Sequence, residues 1–307
     1  MFKCLSHTNL GVYPLCLGGN VFGYSADKEN SEAVLNFYAD NGGNFIDTAD
    51  MYSQWAPGHI GGESETIIGN WMKKRGNREQ MIIATKVGKL DTKPGLSPSN
   101  IISACEDSLK RLGSDYIDIY YSHRDDLDTP IEQTLGAYDS LIKSGKVRYI
   151  AASNFTKERL QESLDISKKL NLASYIASQD HYNLMEREYE STLRDTLEKN
   201  NLSQIPFYGL ARGFLTGKYR PGASVGSVRA TSVSNAYGNE RGWTMLEKLD
   251  QIAKVKNASI ASISLAWLRA QRTVAAPIAS ATKLEQIKEI MPIIELSSDE
   301  LQTLTNS

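Results

Sequence analysis

The chain has 307 residues, 41% of them apolar and 23% charged, with a formal net charge of −2 from 34 basic and 36 acidic side chains. That is enough chain to bury a sizeable core without disulfides or metals, and the balanced charge, with no long Lys/Arg run, argues against a nucleic-acid partner. Cys4, Cys16 and Cys105 are widely spaced, no apolar run reaches ~18 residues, and the N-terminus lacks a basic region followed by an apolar one; these features point to a cytoplasmic protein with reduced thiols, no membrane span and no signal peptide.

The opening "FKCLSHTNLGVYPL" predicts a β-hairpin turning at Thr8, Asn9, Leu10 and Gly11, placed to close the bottom of a barrel. Eight short, β-rich apolar runs then recur. They are "LCLGG" from Leu15, "NFIDT" from Asn44, "MIIATK" from Met81, "YIDIYYSH" from Tyr116, "VRYIAASN" from Val147, "SYIASQ" from Ser174, "IPFYG" from Ile205 and "TVAAPI" from Thr273. Stretches with helical periodicity separate them. In "SEAVLNFYADNGG", Val34, Phe37 and Tyr38 share a face and Gly42 is the stop. In "TPIEQTLGAYDSLIKSGK", Thr129 is the expected N-cap, Pro130 the first helical residue and Glu132 the partner in a capping box. "SIASISLAWLRAQ" predicts a last helix before the eighth strand. Strand starts fall ~30–36 residues apart up to the seventh, the period of βαβ units and a parallel sheet. Eight such units favour a closed (β/α)8 TIM barrel, a single α/β domain over residues 1–307. The interval before the eighth strand is longer, and its "GFLTGKYRPGASVGSVRATSVSNAYGNERG" reads as a long functional loop after strand seven.

In a barrel, chemistry collects at the C-terminal ends of the strands. Those ends carry Asp47, Lys86 and His123 on three successive strands, then Ser153 and Asn154, then Gln179. One polar strand end is ordinarily a strand meeting solvent; three in succession ending in Asp, Lys and His are poorly explained that way. Asp47 and Lys86, on neighbouring strands, are expected to pair, with Tyr52 folding back over the mouth. An ammonium beside a phenol favours the phenolate, so the sequence predicts a Tyr52 with a lowered pKa, suited to general acid–base work. Asp47 would position Lys86, and His123 would orient a substrate oxygen.

Asp47, Tyr52, Lys86 and His123, in this order, resemble the catalytic tetrad of the aldo-keto reductases. "NFIDTADMYSQ", "ATKVG", "SHRDD", "ASNF", "QDHYN" and "GFLTGKY" extend the resemblance over nearly the whole chain, and "SHRDD" with "GFLTGKY" is most similar to the bacterial-type branch related to potassium-channel β subunits. The resemblance implies an NADPH-dependent enzyme that passes a hydride from the nicotinamide to an aldehyde or ketone, with Tyr52 protonating the oxygen. It places Ser153, Asn154 and Gln179 at the carboxamide, and Phe207 against the nicotinamide ring within the segment Phe207, Tyr208, Gly209 and Leu210. It places Gly19 and Asn20, near Asp47, at the ribose. Arg212, Gly213, Leu215 and Lys218 fall across the pyrophosphate, and Ser280, Thr282, Lys283 and Gln286 at an adenosine 2′-phosphate, which favours NADPH over NADH. Tyr24, Trp55 and Arg124 either rim a pocket for a small carbonyl substrate or serve packing. His7, His59 and His181 form no cluster, so no metal site is expected. A nucleotide-binding regulatory subunit with slow turnover is the alternative reading; a metal-dependent barrel hydrolase lacks ligands.

Overall fold

The structure, a computed structural model, describes residues 2–222, 226 and 230–306. Eight parallel strands form one curled sheet: Cys16–Gly18, Phe45–Asp47, Ile82–Val87, Ile117–Ser122, Val147–Ser153, Tyr175–Gln179, Ser203–Gln204 and Ile278–Ala279. The first seven pair in chain order and the eighth pairs with the first. Backbone hydrogen bonds also tie the seventh strand to the run entering the eighth: Gln204 N donates to Thr273 O (2.8 Å) and Ala275 N to Gln204 O (2.9 Å). This is an α/β architecture consistent with a TIM-like barrel. Helices Lys28–Asp40, Glu63–Arg75, Pro98–Leu112, Ile131–Lys143 and Lys157–Leu170 follow the first five strands in turn.

Strand alternation decides which side chains meet inside the sheet. Phe45, Ile82, Ala84, Ile119, Tyr121, Ala151 and Ala177 belong to one buried cluster, whereas Ile46, Ile83, Tyr120, Ile150 and Ala152 belong to a second one shared with the helices. Continuing the alternation by one step carries Asp47, Lys86, His123, Ser153 and Gln179 onto the first, interior face. The register agrees, with Asp47 beside Ala84 and Lys86 beside Tyr121. Leu5, Leu10 and Val12 also join the interior cluster. They come from the antiparallel pair Lys3–Cys4 and Gly11–Val12.

The local expectations change at four places. The hairpin turns at Ser6–His7 rather than at Thr8–Gly11, because the Thr8 hydroxyl donates to Leu5 O (2.9 Å) and accepts from Leu10 N (3.0 Å), drawing the turn one step earlier. The seventh strand is Ser203–Gln204, ahead of the apolar run from Ile205, and the eighth is Ile278–Ala279, at the end of the run from Thr273; both are short because ladder pairing, not hydrophobicity, bounds a strand. Thr129 caps nothing: its hydroxyl donates to Asp126 Oδ2 (2.8 Å), and the helix Ile131–Lys143 begins after Pro130 with no side-chain cap. The stretch expected as one long loop contains tight hydrogen-bonded turns over Ala211–Thr216, kinked by positive φ at Ala211, Arg212 and Gly213, then the helix Ala230–Tyr237, and leads into the helix Glu240–Lys256. Its residues 223–225 and 227–229 lie outside the described residues. By contrast, Val34 and Tyr38 are buried on the first helix, Phe37 is half-buried beside them, and Gly42 follows the C-cap with φ 85°.

Candidate active site

Asp47, Tyr52 and Lys86 form one hydrogen-bonded cluster. Lys86 Nζ donates to Asp47 Oδ2 (2.6 Å), to Thr48 O (2.8 Å) and to Tyr52 Oη (2.9 Å). Tyr52 Oη in turn donates to Asp47 Oδ2, over a longer 3.2 Å. The second carboxylate oxygen, Asp47 Oδ1, accepts from Gln179 Nε2 (2.8 Å). Lys86 is fully buried and Asp47 nearly so. All three ammonium protons have acceptors, which is what a buried charge requires. His123 stands edge-on to Tyr52 with ring centroids 6.0 Å apart, and its Nδ1 is buried without a partner.

The electrostatics revise one expectation. Burial and the adjacent Asp47 carboxylate push the Tyr52 phenol well above its ordinary pKa rather than below it. Burial also lowers the pKa of Lys86, against the opposing pull of Asp47. The ammonium's influence on the phenol is outweighed because Asp47, sharing one oxygen between both groups, already neutralises it. Tyr52 is therefore a neutral phenol at physiological pH. Burial and the charges of Lys86, Lys89 and Arg124 hold His123 well below the usual histidine range, so it is a neutral imidazole.

Around this cluster the other expected residues divide into groups. Ser153 and Asn154 adjoin Gln179: Asn154 Nδ2 donates to Ser153 Oγ (2.8 Å) and His123 O (2.9 Å), and Ser153 Oγ donates to Gln179 O (2.8 Å). Gly19 N donates to Asp47 O (2.7 Å), and Asn20 Oδ1 accepts from Ser280 Oγ (2.6 Å), which joins the first and eighth strand ends. Phe207 bridges to His181, whose ring stacks on it at 5.4 Å and 13°. Tyr208 and Arg212 both have positive φ, and the Arg212 guanidinium lies 5.1 Å from the Tyr208 ring. Gly213, at φ 98°, is approached by the Lys218 side chain. Leu210 and Leu215 are buried in the apolar core, so any ligand contact there falls to their backbone; Gly209 is packed between Ile278 O and Leu268. Thr282 donates from both its N and its Oγ1 to Gln286 Oε1 (2.8 and 3.1 Å), with Lys283 at the N-cap of the helix Leu284–Ile290. Tyr24 and Trp55 are exposed and edge-on at 6.0 Å, and Trp55 also lies 6.1 Å from Tyr52.

Sequence reading missed three participants. Thr48 contributes only its carbonyl, which no side-chain pattern signals. His181 looked isolated, yet it follows Gln179 by two residues, the spacing of one strand face. Asp50 is buried, with no other side chain hydrogen-bonded to its carboxylate; its proximity in sequence to Asp47 was the available signal.

Asp47, Tyr52, Lys86 and His123 thus bring an acid, a phenol, an amine and an imidazole together at the C-terminal ends of a parallel barrel-like sheet, a set of groups able to exchange protons. The model of the aldo/keto reductase family matches residues 14–307, and the chain belongs to that family. It is 32% identical to the uncharacterized oxidoreductase YrpG of Bacillus subtilis, over 97% of this chain and 92% of the relative. It is 34% identical to a putative voltage-gated potassium channel subunit beta of Schizosaccharomyces pombe, over 96% and 88%. To the L-glyceraldehyde 3-phosphate reductase of Escherichia coli it is 32% identical, over 87% and 80%. The chain is accordingly an oxidoreductase of a family that uses NAD(P)H on small molecules. Among the described residues no helix is long and apolar enough to cross a membrane, and no group of three His, Cys, Asp or Glu could hold a metal ion.

Proposed function

We propose that this protein is an NADPH-dependent carbonyl reductase in which Tyr52 donates the proton. The observation that carries the reading is the three-way bond at Lys86, whose Nζ holds both Asp47 and the Tyr52 hydroxyl from a buried position. The donor set suits a nicotinamide nucleotide: Ser153, Asn154 and Gln179 offer hydroxyl and amide groups for a carboxamide, Phe207 offers a ring face, and Arg212 and Lys218 offer positive charge for a pyrophosphate. When bound, the cofactor supplies a hydride to the carbonyl carbon. Tyr52 then delivers its proton to the carbonyl oxygen as the alkoxide develops, so that hydride and proton together give the alcohol.

A phenol of raised pKa suits this task. It stays protonated at neutral pH, and an alkoxide is basic enough to take its proton. The hydroxyl's bond to Asp47 is the long one, at 3.2 Å, and is the one to be exchanged for the substrate oxygen. Lys86, at 2.9 Å, stabilises the phenolate left behind. His123, neutral and beside the phenol, donates to the same oxygen and fixes its position. The preference for NADPH over NADH rests on Thr282, Lys283 and Gln286 as donors for a 2′-phosphate. One relative's name specifies a phosphorylated aldehyde as substrate, in keeping with carbonyl reduction. The complete tetrad weighs against the regulatory-subunit alternative.

The test is oxidation of NADPH and of NADH with 4-nitrobenzaldehyde. Substrate-dependent oxidation of NADPH, faster than of NADH, is expected. Nucleotide binding with no oxidation across a broad carbonyl panel would refute the reading.

A further inference from the structure

We propose that the substrate is an anionic carbonyl compound, its carboxylate or phosphate held by Lys89 and Arg124 at the rim of the mouth beside His123. The proposal rests on the reductase reading above. Lys89 begins the hairpin of Lys89–Leu90 with Lys93–Pro94, just beyond the third strand, and Arg124 follows His123 just beyond the fourth. Those strands are paired neighbours, with Val87 beside Ser122, and His123 N donates to Val87 O (2.9 Å). Both cations therefore leave the sheet on the same sector of its rim.

Neither Lys89 nor Arg124 has an ion pair or side-chain hydrogen bond among the described residues. The acids that follow them in the chain are engaged elsewhere. Asp125 accepts from Arg159 Nε and Nη2 at 2.8 and 3.1 Å. Asp126 accepts from Leu96 N, Asp128 N and the Thr129 hydroxyl. Asp91 is exposed, without an ion pair to Lys89. Lys89 is half-buried, where an unpaired ammonium is unfavourable. Burial and the charges of Lys86 and Arg124 hold its pKa below the ordinary value. Lys86 is compensated by Asp47, so half-buried Lys89 and the exposed Arg124 are the pair left without a carboxylate partner. A neutral substrate would leave that repulsion in place; an anion supplies the missing partner through charge-assisted hydrogen bonds. The proposed cofactor phosphates sit at the seventh and eighth strand ends, across an eight-stranded ring from the third and fourth, so they do not use these cations.

The full chain is assayed with two matched pairs: 4-carboxybenzaldehyde against 4-nitrobenzaldehyde, and glyceraldehyde 3-phosphate against glyceraldehyde. The anion is expected to have the higher kcat/KM in at least one pair, by ~10-fold or more, carried mainly by KM. A preference confined to one pair identifies the group, and either pair supports the proposal. The double substitution Lys89→Gln with Arg124→Gln should reduce that ratio by about the same factor. It should also abolish the calorimetric binding of 4-carboxybenzyl alcohol to the cofactor-loaded protein. If the neutral aldehydes are reduced as well as their anionic partners, the anion proposal is overturned and the reductase reading stands. A preference that survives the double substitution also overturns it. If no member of either pair is reduced with NADPH or NADH, the reductase reading falls and this proposal with it.

Discussion

Tyr52 and Lys86 share one hydrogen bond, and variants of the two residues test the role proposed for it. Tyr52→Phe removes one oxygen and keeps the ring, so the fold should persist while single-turnover reduction at saturating NADPH falls by at least ~10²-fold, the low end of a general acid's contribution. Lys86→Met should also abolish most turnover, and the double variant should be scarcely worse than either single one, because the two residues work as a unit. Lys86→Met leaves Asp47 buried without its cation, so it should also destabilise the protein by ~3–5 kcal/mol in urea titration, which Tyr52→Phe should not. A near-parental rate for Tyr52→Phe would transfer the role of acid to His123. Asp50 offers a separate test at the same scale. Burial and the Glu65 carboxylate raise its pKa to about 8, with Arg111 opposing. A carboxyl raised above its unfolded value, ~3.9, stabilises the fold fully below that value, and this contribution is lost as pH rises towards 8. Asp50→Asn, which cannot ionise, should therefore have a Tm that gains on the parent's steadily between pH 5 and pH 8.5. Parallel pH curves for the two proteins would show that Asp50 is ionised in the fold already.

Two segments position the site from a distance. Tyr38, on the first helix, shares its one hydroxyl proton between Leu15 O (2.6 Å) and Phe45 O (2.9 Å), bracing the first two strands just below Asp47. A Cβ at Gly43 would lie 2.4 Å from that ring. Gly43→Ala should cost ~1–3 kcal/mol by overpacking, read as a lower urea midpoint with an unchanged slope; an unchanged midpoint would mean that the ring moves freely. After the seventh strand, Ala211, Arg212 and Gly213 carry consecutive positive φ values of 46°, 57° and 98°, which turn the backbone sharply towards Lys218. If that turn cradles the pyrophosphate, Lys218→Ala should weaken NADPH in fluorescence titration while the protein stays folded. Equal affinity in the two proteins would exclude the lysine from the cofactor site.

At the scale of the molecule, ligand binding and stability are linked. A nucleotide held by residues from the first, fifth, sixth, seventh and eighth strands bridges elements that the unfolded chain cannot bring together, so it should raise the Tm. At a hundredfold excess over Kd the gain is about 2.7 kcal/mol. NADPH should give the larger shift than NADH at equal concentration; equal shifts would remove the 2′-phosphate from the argument.

The sequence by itself determined the strand-and-helix alternation and the inward-facing strand ends Asp47, Lys86 and His123, because both are periodic. Apolar runs spaced for βαβ units announce the sheet, and a polar residue one alternation step beyond an interior Phe45, Ala84 or Tyr121 must face the same interior. It also placed Gly42 as the stop of the first helix, where local backbone chemistry suffices. What it could not settle were matters of competition between partners. Thr129 was free to cap its helix until Asp126 claimed its hydroxyl, and the two residues meet only once the loop is folded. The short seventh and eighth strands depend on pairing across the closing edge, from residues far apart in the chain. The protonation of Tyr52 was decided the same way: Lys86 alone would lower its pKa, but tertiary packing buries the phenol and sets the Asp47 carboxylate against both groups. Burial and the summed field of neighbours are properties of the assembled fold, and no local pattern of residues carries them.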